Sequence, residues 1–307
     1  MRVTVTGASG LIGTALVAEL REHGAEVTVL SRDPSRVSAR EQPGVRAVRW
    51  DPLGEPAPVQ ALAGADAVVH LAGENVAQRW TERAKRAIRE SRVVGTRNLL
   101  AGLEAAGREA TDQRPRTLIS GSAIGYYGPH GEEPLDEDAP PGNDFLAETC
   151  VAWEAEAEKA SALGMRVVRV RTGVVLDREG GALKKMLPPF RLGVGGPVAG
   201  GNQYVSWIHR EDLVGLIVTG LEDERWSGPV NGTAPEPVTN RELSHALAHV
   251  LHRPSLLPVP GFALGLLYGE MAEIVTTGAR VMPAKALVLG YDFRHPELDE
   301  ALRSALG

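Results

Sequence analysis

Three glycines, Gly7, Gly10 and Gly13, lie in the run T-G-A-S-G-L-I-G, directly after the alternating segment Arg2-Val3-Thr4-Val5. A glycine repeat of this spacing between a strand and a helix suits one task, which is holding phosphate. One glycine permits the tight turn, one lets the main chain approach the ligand, and one lets helix and strand pack closely. A helix starting near Leu11 offers unpaired N–H donors and the positive end of its dipole to an anion. The expected ligand is the pyrophosphate of a dinucleotide, held by Gly7, Ser9, Gly10, Leu11, Ile12 and Gly13.

The residues after the second strand select the nucleotide. An acidic side chain there binds the 2′-hydroxyl of NAD, and a basic one accommodates the 2′-phosphate of NADP. This chain has Ser31-Arg32 after the strand residues Val27, Val29 and Leu30. A guanidinium pairs with phosphate in a bidentate fork and a serine adds a hydrogen bond, so NADP(H) is expected. Asp33 follows, which keeps NAD(H) as the lesser alternative. Asp51, at the end of a third strand over 45–50, is read as an acceptor for the adenine amino group or as a turn cap.

Ligands of parallel sheets lie outside the carboxyl ends of the strands. The fourth strand, 65–71, ends at Leu71 and opens into Ala72-Gly73, small enough for the chain to pass the cofactor. Glu74, Asn75, Arg79 and Trp80 follow on that side as candidates for the substrate pocket. The fifth strand, 116–120, ends at Ser120 and runs into G-S-A-I-G-Y-Y-G, placing Ser122, Tyr126 and Tyr127 where substrate meets cofactor. The tyrosines are read as proton donors, substrate contacts or packing aromatics. Arg171 follows the sixth strand, 165–170, on the same side.

These residues need a scaffold, and the pattern supplies one. Ile12, Leu16 and Leu20 recur at helical spacing, and Gly24 closes that helix as a left-handed cap. Further helices are expected over 81–100, 145–163 and 239–251, from His209 through Leu221, and near Pro296 to Leu306, and 184–190 reads as an amphipathic stretch. Thr239 or Asn240 is expected to cap the helix 239–251, with Glu242 positioned for a capping box. Short strands are expected at 205–208 and at Val230-Asn231. The expected architecture is α/β: a Rossmann-type doubly wound parallel sheet in the order 3-2-1-4-5-6. Residues 1–175 and 205–231 form the dinucleotide-binding part, and 176–204 with 232–307 a smaller, discontinuous substrate part.

The 307 residues are 43% hydrophobic and 23% charged, with a net charge of −6, which argues against a nucleic-acid partner. No apolar run approaches the ~18 residues needed to cross a membrane. The amino terminus reads as the first strand rather than a signal peptide, so a cytoplasmic location is expected. Cys150 is the only cysteine, which excludes an internal disulfide, and its apolar neighbours suggest a buried thiol. The eight histidines show no ligand spacing, so no metal site is expected.

Taken together, T-G-A-S-G-L-I-G, H-L-A-G at 70–73, R-V-V-G-T-R-N at 92–98, S-G-S-A-I-G-Y-Y-G at 120–128 and I-H-R-E-D-L at 208–213 resemble the extended short-chain dehydrogenase/reductases. W-E-A at 153–155, R-T-G-V-V-L-D at 171–177 and the region 254–296 resemble an atypical epimerase-family subgroup with a C-terminal domain of unknown function. The resemblance implies a Rossmann fold, a nicotinamide cofactor, and catalysis by a serine with a Y-x-x-x-K pair. In that pair the lysine lies one helical turn from the tyrosine and lowers its pKa. Ser122 matches the serine. None of the five tyrosines has lysine four residues later: the tyrosine position falls on Leu146 or Phe145 and the lysine position on Cys150.

The resemblance also places Arg92 where relatives carry an asparagine near the cofactor, and Trp207 with His209 in the substrate-side segment. Three readings follow. Tyr126 or Tyr127 supplies the proton, substrate or water supplies it, or the protein binds NADP(H) without turnover. The expected function is an NADP(H)-dependent oxidoreductase or nucleotide-sugar-epimerase-like enzyme for a small or nucleotide-linked carbonyl or alcohol. The alternative is a catalytically silent NADP(H)-binding redox sensor or scaffold. A monomer or homodimer is expected.

Overall fold

Valine-rich runs of four to seven residues build the centre of the molecule: β1 (Arg2–Thr6), β2 (Glu26–Ser31), β3 (Val45–Arg49), β4 (Ala67–His70), β5 (Thr117–Ala123), β6 (Arg166–Thr172) and β7 (Gly228–Gly232). The computed structural model describes residues 1–35, 44–109, 115–255 and 258–307. The strands pair in parallel in the order β3-β2-β1-β4-β5-β6-β7. The expected order therefore holds, with Val230-Asn231 belonging to a seventh strand outside β6. All four residues of β4 are buried, as a strand covered on both faces must be.

Helices cover each face. Leu16 and Leu20 of α1 (Leu11–Glu22) share one core with Val3, Val5 and the helix Arg210–Glu222. Leu99 and Leu103 of α2 (Glu82–Glu109) share the opposite core with Val68, Leu118 and Ala157 of α3 (Phe145–Glu158). A third cluster joins Leu183, Leu187 and Phe190 of α4 (Gly181–Arg191) to Trp207 and to Leu243, Leu247 and Leu302. The capping box of the helix Asn240–Val250 forms between Thr239 and Glu242. Gly24 follows α1 at φ +74°. Among the described residues no helix is long and apolar enough to cross a membrane.

Three departures bear on the site. β5 and β6 run on past their expected ends, in the register Gly121↔Val170, Ser122↔Arg171 and Ala123↔Thr172. Gly121 does not break the strand. It lets the ring of Trp153 lie against it, since a Cβ there would sit 3.0 Å from that ring. The 205–208 segment forms two short strands rather than one. Tyr204–Val205 pairs with Val238–Thr239 and Trp207–His209 with Val174–Leu176. Ser206 at the break is buried and bonds Ala279 and Val281 of the C-terminal segment. Finally, α3 ends at Glu158 and tightens into a 3-10 turn over Lys159–Leu163, closed by Gly164 at φ +77°.

Candidate active site

The glycine turn has the geometry that a phosphate cradle requires. Gly7 stands at φ +72°, and a Cβ there would lie 2.6 Å from the Leu71 carbonyl carbon and 2.8 Å from the Ala72 nitrogen. Leu71 and Ala72 thus sit directly against the turn. At Gly13 a Cβ would lie 2.7 Å from Ala8 Cα and would overlap the Gly7 carbonyl. Gly10 caps α1 without a side-chain bond, and the first turn carries no acidic residue. The N–H groups at this end are therefore left for an anion. Ser9 and Gly10 are exposed, and Leu11 and Ile12 half-buried. Gly13→Val is expected to abolish dinucleotide binding and to cost about 1–3 kcal/mol of stability by overpacking. Nicotinamide fluorescence titration and urea unfolding check both effects.

At the end of β2, Arg32 is exposed and forms no ion pair with a described residue. The Ser31 hydroxyl donates to the Asp33 carbonyl and accepts the Asp33 N–H, fixing the turn that carries Arg32. Asp51 is exposed, and its carboxylate accepts the Leu53 N–H at 3.2 Å as a turn cap.

The second glycine-rich stretch behaves differently from its expected role. Ser122, Arg171 and Asn231 are register partners across β5, β6 and β7. Residues in one row of a parallel sheet project to the same face. Glu154 reaches this row from α3. Its carboxylate accepts the Ser122 hydroxyl at 2.6 Å and takes both Arg171 Nε (2.8 Å) and Nη2 (3.0 Å). Arg171 Nη1 donates to the Tyr127 hydroxyl and to the Glu137 carbonyl oxygen. Tyr127 donates in turn to Asn231 Oδ1 at 2.7 Å. Glu137 accepts the backbone N–H groups of Asn231 and Lys285.

Every member of this network is buried, with Tyr127 0% exposed, Arg171 3% and Ser122 4%. Burial, outweighing the attraction of Arg171, pushes the Tyr127 phenol up to about 12. Burial pulls the Arg171 guanidinium down, but the Glu154 bonds and charge raise it overall. The structure thus moves Tyr127 and Arg171 from the expected ligand side to the interior. Their bonds are spent on protein partners, and the Ser122 proton is held by a carboxylate. Ser120 is also fully buried. Tyr126 is different: half-buried, its ring lies 3.5 Å from the Arg171 guanidinium, and its hydroxyl has no partner among the described residues.

The helix that lacks the Tyr–Lys pair packs apolar groups where that pair would stand. Leu146 lies against Gly125, where a Cβ would meet it at 3.2 Å. Burial and the nearby Glu154 charge push the Cys150 thiol up to about 12, which makes it inert as a nucleophile. Phe145 meets Trp80 edge-on at 5.1 Å, and Lys85 pairs with Glu270 beside that ring. The 74–80 loop is fastened at several points. The Glu74 N–H donates to Ser91, Asn75 caps Ala77, Trp80 donates to Val76, and Lys185 reaches the Ala77 carbonyl. Arg79 is exposed. Arg92 donates to the Glu74 and Ile88 carbonyls beside Gly73.

Residues 3–231 match the NAD dependent epimerase/dehydratase family, and 259–305 match the domain of unknown function DUF1731. The chain belongs to that epimerase/dehydratase family. The epimerase family protein SDR39U1 homologue of Arabidopsis thaliana chloroplasts is 41% identical over 100% of this chain and 87% of its own. Human epimerase family protein SDR39U1, solved with NADPH, superposes with a TM-score of 0.86 at 35% identity over 100% of both chains. UDP-galactose 4-epimerase, 21% identical over 99% of this chain and 97% of its own with a TM-score of 0.72, shares the fold alone.

Within this family frame, two departures from sequence reasoning stand out. Trp207, expected on the substrate side, is 0% exposed and donates to the Glu236 carbonyl from the third hydrophobic cluster. Glu154 was missed, although it lies four residues after Cys150 and eight after Leu146, on the same helix stripe as the altered pair. His209, Glu211 and His295 also converge, with ligand atoms within 4.8 Å of one another. There His209 Nδ1 is occupied as the helix cap for the Glu211 N–H, and His295 bonds the Glu211 carboxylate.

Proposed function

We propose that this protein is an NADP(H)-dependent oxidoreductase acting on a small or nucleotide-linked carbonyl or alcohol. One observation carries the choice of cofactor: Arg32, at the end of β2, is exposed and forms no ion pair among the described residues, in a chain whose first helix has no side-chain cap. The NADPH held by human SDR39U1 supports the same choice. The Gly7–Gly13 turn would hold the pyrophosphate and Arg32 the 2′-phosphate, with Asp51 an adenine-side candidate and Leu71, Ala72 and Gly73 along the middle of the cofactor. A bound nicotinamide supplies hydride exchange. The chain supplies the rest: a floor at the carboxyl edge of β4 and β5, and walls from Glu74, Asn75, Arg79 and Trp80. Tyr126 is the phenol left to move a proton, because the Tyr127 hydroxyl is sealed inside.

A second reading, a catalytically silent NADP(H) binder, is favoured by Leu146 and Cys150 in place of the pair and by a Ser122 proton held by Glu154. Purified protein is first titrated with NADPH by fluorescence, then offered a panel of aldehydes, ketones and ketoses. The enzyme reading expects substrate-dependent loss of NADPH absorbance, with Tyr126→Phe slowing turnover about a hundredfold or more. Tight binding with no turnover on the whole panel transfers the conclusion to the silent binder. No NADPH binding removes both.

A further inference from the structure

Arg92 is a cation that forms no ion pair among the described residues. It projects from α2 to the loop after β4, where a Cβ on Gly73 would lie 3.2 Å from its guanidinium carbon. One nitrogen, Nη1, donates to the carbonyls of Glu74 (3.0 Å) and Ile88 (3.1 Å). Among the described residues Nε and Nη2 have no acceptor, and no carboxylate forms an ion pair with Arg92. The Glu74 and Cys150 side chains act on it only through their electrostatics, and burial pulls its pKa below the ordinary arginine range. Arg92 is half-buried, and Nε and Nη2 keep some contact with solvent, so both donors stay open to a carboxylate or phosphate.

The wall next to Arg92 points the same way. The guanidinium lies 5.2 Å from the Trp153 ring centre. Trp153 is 5% exposed and Thr149 1%, and among the described residues neither the indole N–H nor the threonine hydroxyl has a partner. The two stand one helical turn apart on the same face of α3. Cys150, at the lysine position, lies on this helix too, so Arg92 brings a positive charge from α2 to the neighbourhood where α3 has lost one.

We propose that Arg92 is a substrate-anchoring residue that binds a carboxylate, so that the substrate is an acidic carbonyl or hydroxy compound rather than a neutral one. Nε and Nη2 form the free edge of the fork, the geometry that takes both oxygens of a carboxylate. This rests on the oxidoreductase reading for the nature of the substrate, while the anion site itself does not depend on turnover.

The test uses malonate and its dimethyl ester on the full-length protein without NADPH, read by calorimetry and by thermal shift. Malonate is expected to bind with saturation and the ester at least tenfold more weakly. Arg92→Met removes that preference, and Arg92→Lys keeps part of it. Gly73→Ala, on an exposed loop, crowds the guanidinium and weakens malonate without altering a core residue, which covers the case in which Arg92→Met fails to fold. Equal binding of diacid and ester, or malonate binding unchanged in Arg92→Met and Gly73→Ala, overturns the assignment. A protein that binds malonate through Arg92 but turns over no carbonyl compound keeps the anion site and loses the oxidoreductase reading.

Discussion

Glu154→Gln is expected to lower the free energy of unfolding by about 3–5 kcal/mol, because it leaves the Arg171 charge buried without a counterion. The magnitude follows from burial: Glu154 is 4% exposed and Arg171 3%, and they meet through two hydrogen bonds. An amide keeps the shape but loses the charge, and its N–H₂ faces either guanidinium donors or the Ser122 hydroxyl. Against a typical stability of about 5–15 kcal/mol, the loss moves the denaturation midpoint visibly. Urea unfolding measures it.

Two companions sharpen the result. The Arg97–Glu156 pair has an exposed arginine, so Arg97→Ala is expected to move the urea midpoint far less than Glu154→Gln. Replacing both Glu154 and Arg171 by methionine removes the unpaired charge and is expected to recover much of the loss, although Tyr127 and Glu137 each lose a partner. A Glu154→Gln loss below about 1 kcal/mol would show that the network is far less desolvated than its burial implies.

Arg32→Glu is expected to weaken NADPH by about 2–3 kcal/mol, roughly 30- to 140-fold, while NADH binding changes little. The asymmetry is the informative part. Only the 2′-phosphate distinguishes the two nucleotides, and a glutamate there repels phosphate but can accept a bond from the NAD ribose. Arg32 has no ion pair among the described residues, so its removal leaves no protein carboxylate stranded. Equal losses for both nucleotides would take Arg32 out of the phosphate site.

While the sheet order came with the family resemblance, the amino-acid sequence by itself determined the main strands and helices, the glycine turn and the cap at Gly24. These are local: a turn that needs positive φ demands glycine, a capping box spans four residues, and strand and helix periods are written in adjacent positions. The same is true of the missing pair, since a tyrosine and a lysine one helical turn apart are read directly from spacing. Whether Ser122, Tyr127 and Arg171 faced a ligand was not legible. That depended on three further register pairs between β5 and β6, on Asn231 arriving beside Arg171 from far along the chain, and on Glu154 descending from α3. Those positions are far apart in the chain, and only the packed sheet aligns them in one row. Tertiary structure likewise decided that Trp207 belongs to the core. It also decided that Arg92 faces the altered helix with no ion pair among the described residues, because the identity of a residue does not reveal which charges end up without a partner.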